Sequence, residues 1–401
     1  MSAFAAALLA PRDPILGLNE QFNADPRVEK VNLGVGVYTD ATGKLPLLDC
    51  VRAAEAQLAA SPSPRGYLPI DGLPVYVKAA QRQVFGAEAE VLQQGRVASL
   101  QAIGGTGALK VGADFLKRLQ PQARVWISDP SWENHRALFS NAGFEVLNYP
   151  YFDASAKGVA FEQLLATVKG DARPGDIIVL HACCHNPTGY DLTPAQWAQL
   201  APVLKERQLI PFVDMAYQGF GQGLKEDAYL VRLLGKQGHT FLVASSFSKS
   251  FSLYGERVGS LHVVCSDADE ATRVQSQLKV AARTNYSNPP THGAKVVATV
   301  LGSDLLRSQW EQELTGMRVR IASMRTALVL AMKAAGVDQP LDFITRQQGM
   351  FSYSGLSALQ MQRLRSDFGV YGVDSGRICV AALNENNLPR VAAAVASVMK
   401  G

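Results

Sequence analysis

A lysine lies among serines at residues 243–259 (VASSFSKSFSLYGERVG), and an arginine follows it eight positions later. The hydroxyls of Ser246 and Ser248 and the guanidinium of Arg257 are groups that bind phosphate oxygens. The amine of Lys249, once desolvated near other cations, would lose its proton easily and react with a carbonyl group. A solvated surface loop has a similar composition, so this stretch predicts either such a loop or a phosphate site beside a reactive amine.

A glycine-rich segment at residues 104–110 (GGTGALK) comes directly before a helical pattern at 111–119. Glycines that open a helix let backbone N–H groups approach an anion, and the helix dipole adds to the attraction. The segment lacks the G-K-[ST] ending of a nucleoside-triphosphate loop, and the chain has no G-x-G-x-x-G motif. Neither ATP nor a dinucleotide is therefore favoured, and the segment predicts a phosphate contact or a plain glycine turn.

The segment at residues 181–190 (HACCHNPTGY) follows an apolar strand pattern. Two histidines with two cysteines between them are compatible with zinc. However, adjacent cysteines rarely both reach one tetrahedral ion, and no second ligand pair follows at the spacing of a zinc site. The Asn186-Pro-x-Gly sequence fixes a turn that can direct the Asn186 amide at a ligand. We therefore predict an amide donor here and no metal.

An aspartate ends another apolar strand pattern, at the start of residues 214–221 (DMAYQGFG). A carboxylate in that place is buried or nearly so, and a buried carboxylate requires a cationic partner. Tyr217, three residues after Asp214, can present its hydroxyl to the same site. A helix-capping aspartate is the other interpretation.

One ligand accounts for all four stretches, namely a phosphorylated pyridine aldehyde. Such a cofactor needs an amine for its aldehyde, a carboxylate for its ring nitrogen and donors for its phenolate oxygen. It also needs hydroxyls and backbone amides for its phosphate. Lys249 would supply the amine and Asp214 the carboxylate, while Asn186 and Tyr217 would be the phenolate donors.

Short strand patterns alternate with longer helical patterns through the middle of the chain. At residues 193–207, for example, Thr193 can cap a helix whose first turn suits Pro194. Near-continuous apolar strands that alternate with helices indicate a mostly parallel sheet covered on both faces. Active groups belong at the carboxyl ends of such strands. The predicted strands are residues 124–128, 176–181, 210–214, 240–245 and 259–265.

The C-terminal part has a different pattern. A long helical pattern at residues 303–335 leads into GMFSYSGL at 349–356, a further helix and RICVAAL at 377–383. This part predicts a smaller α/β layer, joined by the N-terminal segment 31–38. The predicted organisation is an N-terminal arm (1–11), a small domain (12–45 and 317–401) and a large domain (46–316).

The bulk composition excludes several classes of protein. A net charge of only +4 without runs of like charge argues against a nucleic-acid or membrane partner. No apolar run approaches the ~20 residues of a membrane span. The apolar start has no basic residue before Arg12, unlike a signal peptide. Five cysteines, an odd number in a long chain, indicate reduced thiols and a cytoplasmic location.

Four motifs carry a resemblance to a known family: S-x-S-K with an arginine eight residues after the lysine, H-N-P-T-G, D-x-A-Y-Q-G-F and G-G-T-G-A-L. Together they resemble the class I pyridoxal-phosphate aminotransferases over nearly the whole chain, closest to the bacterial aspartate and aromatic amino-acid aminotransferases. The resemblance implies fold type I of the pyridoxal-phosphate enzymes, an α/β fold with a large and a smaller domain. It also implies that Lys249 binds the cofactor aldehyde and moves the substrate proton, and that Asp214 pairs with the ring nitrogen. The other cofactor residues that it implies are Gly105, Thr106, Trp132, His135, Asn186, Tyr217, Ser246, Ser248, Arg257 and, from the neighbouring subunit of a homodimer, Tyr67.

The same resemblance implies two substrate arginines. Arg377 would bind the α-carboxylate, with Gly36, Trp132 and Asn186 beside the substrate. Arg283, from the neighbouring subunit, would bind a side-chain carboxylate, since a bidentate guanidinium–carboxylate pair discriminates strongly. A surface ion pair is the other interpretation of each arginine.

The resemblance also bears on the substrate. Arg283 and Asn288 resemble the aspartate enzymes, whereas Glu133 and the DAYLVR sequence at 227–232 resemble the aromatic ones. The implied reaction passes the amino group of tyrosine, phenylalanine and aspartate to 2-oxoglutarate, in a ping-pong sequence through pyridoxamine phosphate. A strict aspartate aminotransferase is the nearest alternative. A lyase or decarboxylase of the same fold would have less use for two substrate arginines, and a regulator would require an added DNA-binding segment, which we do not find in the sequence.

Overall fold

A computed structural model describes residues 2–10 and 12–400 of the chain. Residues 2–10 form no helix or strand, and all of them are exposed. The predicted arm also includes Met1 and Pro11, which lie outside the described residues. The helices are α1 (Leu16–Ala24), α2 (Asp49–Ala60), α3 (Pro74–Phe85), α4 (Glu90–Gln93), α5 (Gly104–Leu119), α6 (Glu133–Asn141), α7 (Phe161–Gly170), α8 (Pro194–Glu206), α9 (Tyr229–Lys236), α10 (Ala268–Asn285), α11 (His292–Gly302), α12 (Asp304–Ala334), α13 (Asp342–Thr345), α14 (Ala358–Phe368) and α15 (Leu388–Lys400).

Seven strands form the central sheet, in the order β2–β10–β9–β8–β7–β3–β4. Every neighbouring pair is parallel except the two that involve β10, which runs antiparallel to β9 and β2. The mostly parallel sheet predicted from the sequence is therefore confirmed. The strands are β1 (Val31–Asn32), β2 (Val97–Ile103), β3 (Arg124–Asp129), β4 (Glu145–Pro150), β5 (Phe152–Asp153), β6 (Gly158–Val159), β7 (Ile177–His181), β8 (Ile210–Met215), β9 (Phe241–Ser246), β10 (Val258–Val264), β11 (Phe351–Tyr353), β12 (Val370–Tyr371) and β13 (Arg377–Cys379).

Apolar side chains cover both faces of this sheet. All five residues of β7 are buried, and alternate residues point to opposite sides because the side-chain period of a strand is two. Ile177 and Val179 join the core that contains α5 residues, whereas Ile178 and Leu180 join the core that contains α8 and α9 residues. Burial on both faces explains why these strands read as continuous apolar runs in the sequence.

The helices that flank the sheet begin where the sequence indicates. Thr193 caps α8 in a capping box with Gln196, and Pro194 occupies its first turn. Helix α5 differs from the prediction, because it begins at Gly104 rather than at residue 111. Gly104 has a φ of +67°, which is accessible to glycine without strain, and the chain passes directly from β2 into the helix. The glycine-rich segment is therefore the first turns of α5 rather than a loop before it.

The N-terminal segment pairs with the C-terminal part of the chain. Strand β1 runs parallel to β12, and β11 runs antiparallel to β13. Leu33 extends the connection, since its N–H donates to the Tyr371 carbonyl and its carbonyl accepts from the Cys379 N–H, both at 2.7 Å. The 31-residue helix α12 contacts α15 and α13 in this region and α2 and α11 nearer its start. None of the described helices is long and apolar enough to cross a membrane.

Candidate active site

A cavity opens at the carboxyl ends of β7, β8 and β9 and at the start of α5. Its volume is about 120 Å³. All four stretches that the sequence indicated contribute side chains to it, because parallel strands end at the same edge of a sheet. The lining residues are Gly105, Thr106, Leu109, Trp132, His181, Cys183, Asn186, Asp214, Ala216, Tyr217, Ser246, Ser248, Lys249, Tyr254 and Arg257.

Lys249 follows β9 by three residues and projects its amine into the cavity. The Nζ atom lies 5.0 Å from the centre of the Tyr217 ring. Burial lowers the pKa of Lys249, and the positive charge of Arg257 lowers it further, whereas Asp214 acts in the opposite direction. The balance favours the neutral amine more than at a surface lysine, which suits a nucleophile or a proton acceptor.

Asp214 lies near the end of β8 and is held by His135 of α6. The Nε2 atom of His135 is 2.9 Å from Asp214 Oδ2, and Nδ1 is 2.9 Å from Ser131 Oγ. Burial raises the pKa of Asp214, but the hydrogen bond and charge of His135, together with the charges of His181 and Lys249, outweigh it and hold the pKa below its ordinary value. Asp214 therefore stays ionised in a site where an isolated carboxylate would not.

A group of donors lies on the other side of Lys249. Arg257 donates from Nη1 to Ser248 Oγ at 3.3 Å, and the Ser248 N–H donates to Ser246 Oγ at 3.2 Å. A Cβ atom at Gly104 would lie 2.6 Å from Arg257 Nη2, so glycine is required for the guanidinium to take this position. Two residues of the first turn of α5, Gly105 and Thr106, face the same space. Hydroxyls, a guanidinium and a helix N-terminus together form a site suited to a phosphate group.

Arg377 of β13 is only 1% exposed. Its Nη1 donates to Asn186 Oδ1 at 3.1 Å and its Nη2 to the Gly34 carbonyl at 2.7 Å. Its Nε makes no hydrogen bond, and among residues 2–10 and 12–400 no carboxylate pairs with the guanidinium. A buried charge without a counter-ion is costly. The arginine is therefore suited to receive an anion beside Asn186.

Phe351 of β11 packs between Arg377 and the N-terminal segment. The ring centre lies 4.4 Å from the Arg377 Cζ atom. A Cβ atom at Gly36 would lie 2.7 Å from Phe351 Cζ, so the absence of a side chain at Gly36 lets this ring approach the backbone. The same ring meets the Tyr217 ring edge to face at 5.9 Å. The Phe351 ring therefore contacts both Gly36 and Arg377.

Five of the predicted site residues do not line this cavity, namely Gly36, Tyr67, His135, Arg283 and Arg377. His135 and Arg377 each contact a lining residue, whereas Tyr67 and Arg283 lie at the surface. Tyr67 is 95% exposed and lies in a surface depression with Asn288, which shares Arg257 with the active-site cavity. Arg283 is exposed at the end of α10 and donates to Ser287 Oγ. The remaining predicted cofactor residues line the cavity or, like His135, contact a residue that does.

Five cavity residues were not predicted as site residues, namely Leu109, His181, Cys183, Ala216 and Tyr254. His181 accepts from the Asn186 N–H through Nδ1 at 3.1 Å, while its buried Nε2 has no partner among the described residues. Cys183 follows two positions later, and Tyr254 accepts from the Tyr38 N–H. The sequence could have indicated Tyr254, because it lies three residues before Arg257 in the serine-rich stretch that was singled out.

The zinc interpretation of residues 181–190 is not supported by the geometry. The rings of His181 and His185 stack at 4.3 Å instead of converging on one point. Within the described part of the chain, the one group with metal-ligand spacing is Cys183, Cys184 and Asp227. Both carboxylate oxygens of Asp227 already accept backbone N–H groups of residues 219–222.

Comparison with known proteins identifies the family. A model of the family "Aminotransferase class I and II" matches residues 28–395. The chain therefore belongs to the class I and II aminotransferases and is a transaminase. The predicted enzyme class and the α/β fold of type I pyridoxal-phosphate enzymes are confirmed.

The relatives fall into two groups by name. The chain is 58% identical over 400 residues to an aspartate aminotransferase of Pseudomonas aeruginosa, with 100% of each chain covered. It is 54% identical over 389 residues to an aromatic-amino-acid aminotransferase of Escherichia coli K12, which covers 96% of this chain and 98% of the other. A Burkholderia pseudomallei aromatic-amino-acid aminotransferase, covalently bound to pyridoxal phosphate, superposes with a TM-score of 0.97 at 59% identity, covering 99% of this chain and 100% of the other.

Proposed function

We propose that this aminotransferase binds pyridoxal 5'-phosphate in the cavity and transfers the amino group of aspartate, tyrosine and phenylalanine to 2-oxoglutarate. The observation that carries the proposal is the position of Lys249, which faces one cavity between the Asp214 carboxylate and the donors around Arg257. The substrate range rests on relatives of both names. A Psychrobacter sp. B6 aromatic amino-acid aminotransferase cocrystallised with aspartic acid, which superposes with a TM-score of 0.97 at 47% identity and covers 99% of this chain and 100% of the other, supports a range that includes both kinds of amino acid.

The residues present fit this cofactor. The guanidinium of Arg257 and the hydroxyls of Ser246 and Ser248 would hold the phosphate together with the start of α5. The buried, ionised carboxylate of Asp214 would hold the proton of the ring nitrogen. Other cavity residues complete the set, with Asn186 and Tyr217 at the ring oxygen and Trp132 against the ring face.

Pyridoxal phosphate supplies an aldehyde that bonds to amino groups and a ring that accepts the electron pair left on the substrate α-carbon. The amine of Lys249, which burial and Arg257 make easier to deprotonate, would take up the α-proton of the substrate at Nζ and later release it. The ionised Asp214 carboxylate would hold a proton on the ring nitrogen of the bound cofactor. His135 orients the carboxylate through the 2.9 Å hydrogen bond.

Arg377 would bind the α-carboxylate of every substrate. Its guanidinium is buried and is fixed by Asn186 and Gly34, which use one N–H of each terminal nitrogen and leave the Nε–H and one N–H on each terminal nitrogen without a partner among the described residues. A carboxylate placed there would relieve the cost of the unpaired charge. Every amino acid and oxo acid in the proposed reaction carries such a carboxylate.

The protein would act as a homodimer with composite sites. Tyr67 and Arg283 lie outside the cavity of their own chain, and both are exposed. In a two-fold dimer they would reach the partner's cavity, where Tyr67 would contact the phosphate and Arg283 the side-chain carboxylate of aspartate. We also propose a cytoplasmic location, which agrees with five free, buried cysteines in the described chain. The division into an arm (1–11), a small domain (12–45 and 317–401) and a large domain (46–316) remains part of this proposal.

Steady-state kinetics with 2-oxoglutarate as acceptor test the proposal. We expect kcat/KM values of similar order for aspartate, tyrosine and phenylalanine, and much lower values for branched-chain amino acids. The products should be the matching 2-oxo acid and glutamate. Activity with aspartate only would establish the strict alternative, and release of carbon dioxide or an amine as the main product would refute transamination.

A further inference from the structure

A second cavity lies on the molecule away from the candidate active site. It is enclosed by the end of α3, the segment 223–226, helix α9 and the first half of α12, and its volume is about 340 Å³. Its lining residues are not shared with those of the active-site cavity. Small-molecule sites fall in the range of ~300–1,000 Å³, so the size is sufficient for a ligand.

Positive charge is concentrated in this cavity. It is lined by five cationic side chains and two carboxylates, although the whole chain has a net charge of only +4. Cations placed close together repel one another and raise the local concentration of anions. The cationic residues are Arg82, Lys225, Arg232, Arg307 and Arg318, and the acidic ones are Glu226 and Glu311.

Most of these cations have no partner for their charge. The ion pair Arg307–Glu311, at 3.1 Å, is the one ion pair that the five make within residues 2–10 and 12–400. The Nε atom of Arg232 is shielded from solvent and makes no hydrogen bond there. Burial lowers the pKa of Arg232, whereas the negative charge of Glu226 raises it. The Arg232 guanidinium is therefore partly desolvated and forms no ion pair within the described residues.

Two other arginines of the cavity are held by hydrogen bonds. Arg318 donates from Nη1 to the Gly219 carbonyl at 2.9 Å, and Arg307 donates to Gln83 Oε1 at 3.4 Å. Gly86 faces Arg232, because a Cβ atom there would lie 3.8 Å from its Cζ and Nε atoms. The guanidinium groups of Arg307 and Arg318 are therefore fixed by backbone and amide contacts, whereas the buried Nε of Arg232 has no partner among the described residues.

From this arrangement we propose that the cavity is a second ligand site, which binds a small anion with at least two negative charges. A phosphate compound and a polycarboxylate share this chemistry. Guanidinium groups bind the oxygens of either through charge-assisted hydrogen bonds. The ligand would bridge α3, α9 and α12, next to the segment that begins at Tyr217 in the active-site cavity.

Isothermal titration calorimetry of the cofactor-loaded enzyme tests the site, with inorganic pyrophosphate in one arm and citrate in the other. Arg232→Gln and Arg82→Gln should each weaken binding by about tenfold or more, since a hydrogen bond to a charged group is lost. Arg273→Gln, which removes the same charge from an exposed position on α10, is the matched control and should bind like the unaltered protein. Arg82 is itself exposed, so its replacement leaves the packed interior unchanged.

Binding of pyrophosphate only would assign the site to phosphate compounds, and binding of citrate only would assign it to polycarboxylates; both results support the site. The proposal is overturned if neither probe binds, or if both cavity variants bind like the unaltered protein. It is also overturned if Arg273→Gln weakens binding as much as they do. In that last case only the net charge of the protein would matter.

Discussion

The imidazole of His135 lies with its Nε2 atom 2.9 Å from Asp214 Oδ2, and the ring is fully buried. The contact holds the pKa of Asp214 below its ordinary value in spite of the burial that raises it. The two residues have different parts in the proposed reaction, because Asp214 would contact the cofactor and His135 would act through Asp214.

Replacing each residue by alanine separates these parts. Asp214→Ala should lower kcat by about 10²–10³-fold or more, because it removes the charge that keeps the ring nitrogen protonated. His135→Ala should cost at least tenfold less than Asp214→Ala, since the carboxylate remains. Steady-state kinetics on cofactor-loaded variants provide the comparison. Equal losses would show that the carboxylate cannot act without the imidazole.

The two arginines should differ in substrate selectivity. Arg377→Ala should lower kcat/KM by about 10²-fold or more for both aspartate and phenylalanine, because every substrate has an α-carboxylate. Arg283→Ala should lower the value for aspartate by a similar factor and that for phenylalanine far less. Arg377→Lys and Arg283→Lys are the matched controls, because lysine keeps the positive charge but cannot form the bidentate contact of a guanidinium with a carboxylate. The assignment of Arg283 fails if the two amino acids lose equally in Arg283→Ala.

A hybrid dimer tests whether the sites are shared. Consider one Arg283→Ala subunit paired with one Lys249→Ala subunit. If Arg283 acts across the dimer, one site holds an intact lysine and the partner's intact arginine, while the other site lacks both. Co-refolding the two variants should therefore restore aspartate turnover well above that of each parent refolded separately. No recovery in confirmed hybrid dimers would place both residues in a site made by one chain.

Five of the seven strands of the central sheet could be predicted from the sequence. The five predicted strands all form, each within one residue of its predicted ends, because a buried strand has a continuous apolar sequence bounded by polar residues. Strands β2 and β4 were not predicted. The residues of β4 are mostly only half-buried or exposed, which weakens the apolar signal.

Within the site, the sequence indicated residues that the structure brings together where chemistry and spacing coincide locally. Lys249 and Asp214 could be found because Asp214 lies near the end of β8 and Lys249 shortly after β9, two strands of the same sheet. His181 and Tyr254 were missed because their role depends on contacts distant in sequence, such as that of Tyr254 with Tyr38. The pairing of Arg377 with Asn186 spans 191 residues and followed from no local pattern.

The buried histidine of β10 gives a prediction about pH. His262 lies between Ser99 Oγ at 2.7 Å and Ser260 Oγ at 2.9 Å, and burial lowers its pKa to about 3. The unfolded chain takes up this proton near pH 6.5, so stability is lost as the pH falls from that value toward 3. Within this range His262 lowers the free energy of unfolding by up to about 1.4 kcal/mol for each pH unit.

Nuclear magnetic resonance of ¹⁵N-labelled histidines can follow this titration. The His262 signals, assigned with a His262→Asn variant, should stay unchanged between about pH 8 and pH 5 in the folded protein. A midpoint near the ordinary value of 6.5 would show that the ring is open to solvent and that the buried environment is wrong.

The most direct test of the proposed cofactor chemistry is to locate the amine that binds the cofactor. Borohydride reduction of the purified enzyme fixes the bond between the lysine and the cofactor aldehyde, and peptide mass mapping then identifies the modified residue. We expect one pyridoxyl group per chain, on Lys249, and none in a Lys249→Ala variant reduced in parallel. A pyridoxyl group on a different lysine, or its persistence in Lys249→Ala, would contradict the assignment of Lys249 and of the cavity around it.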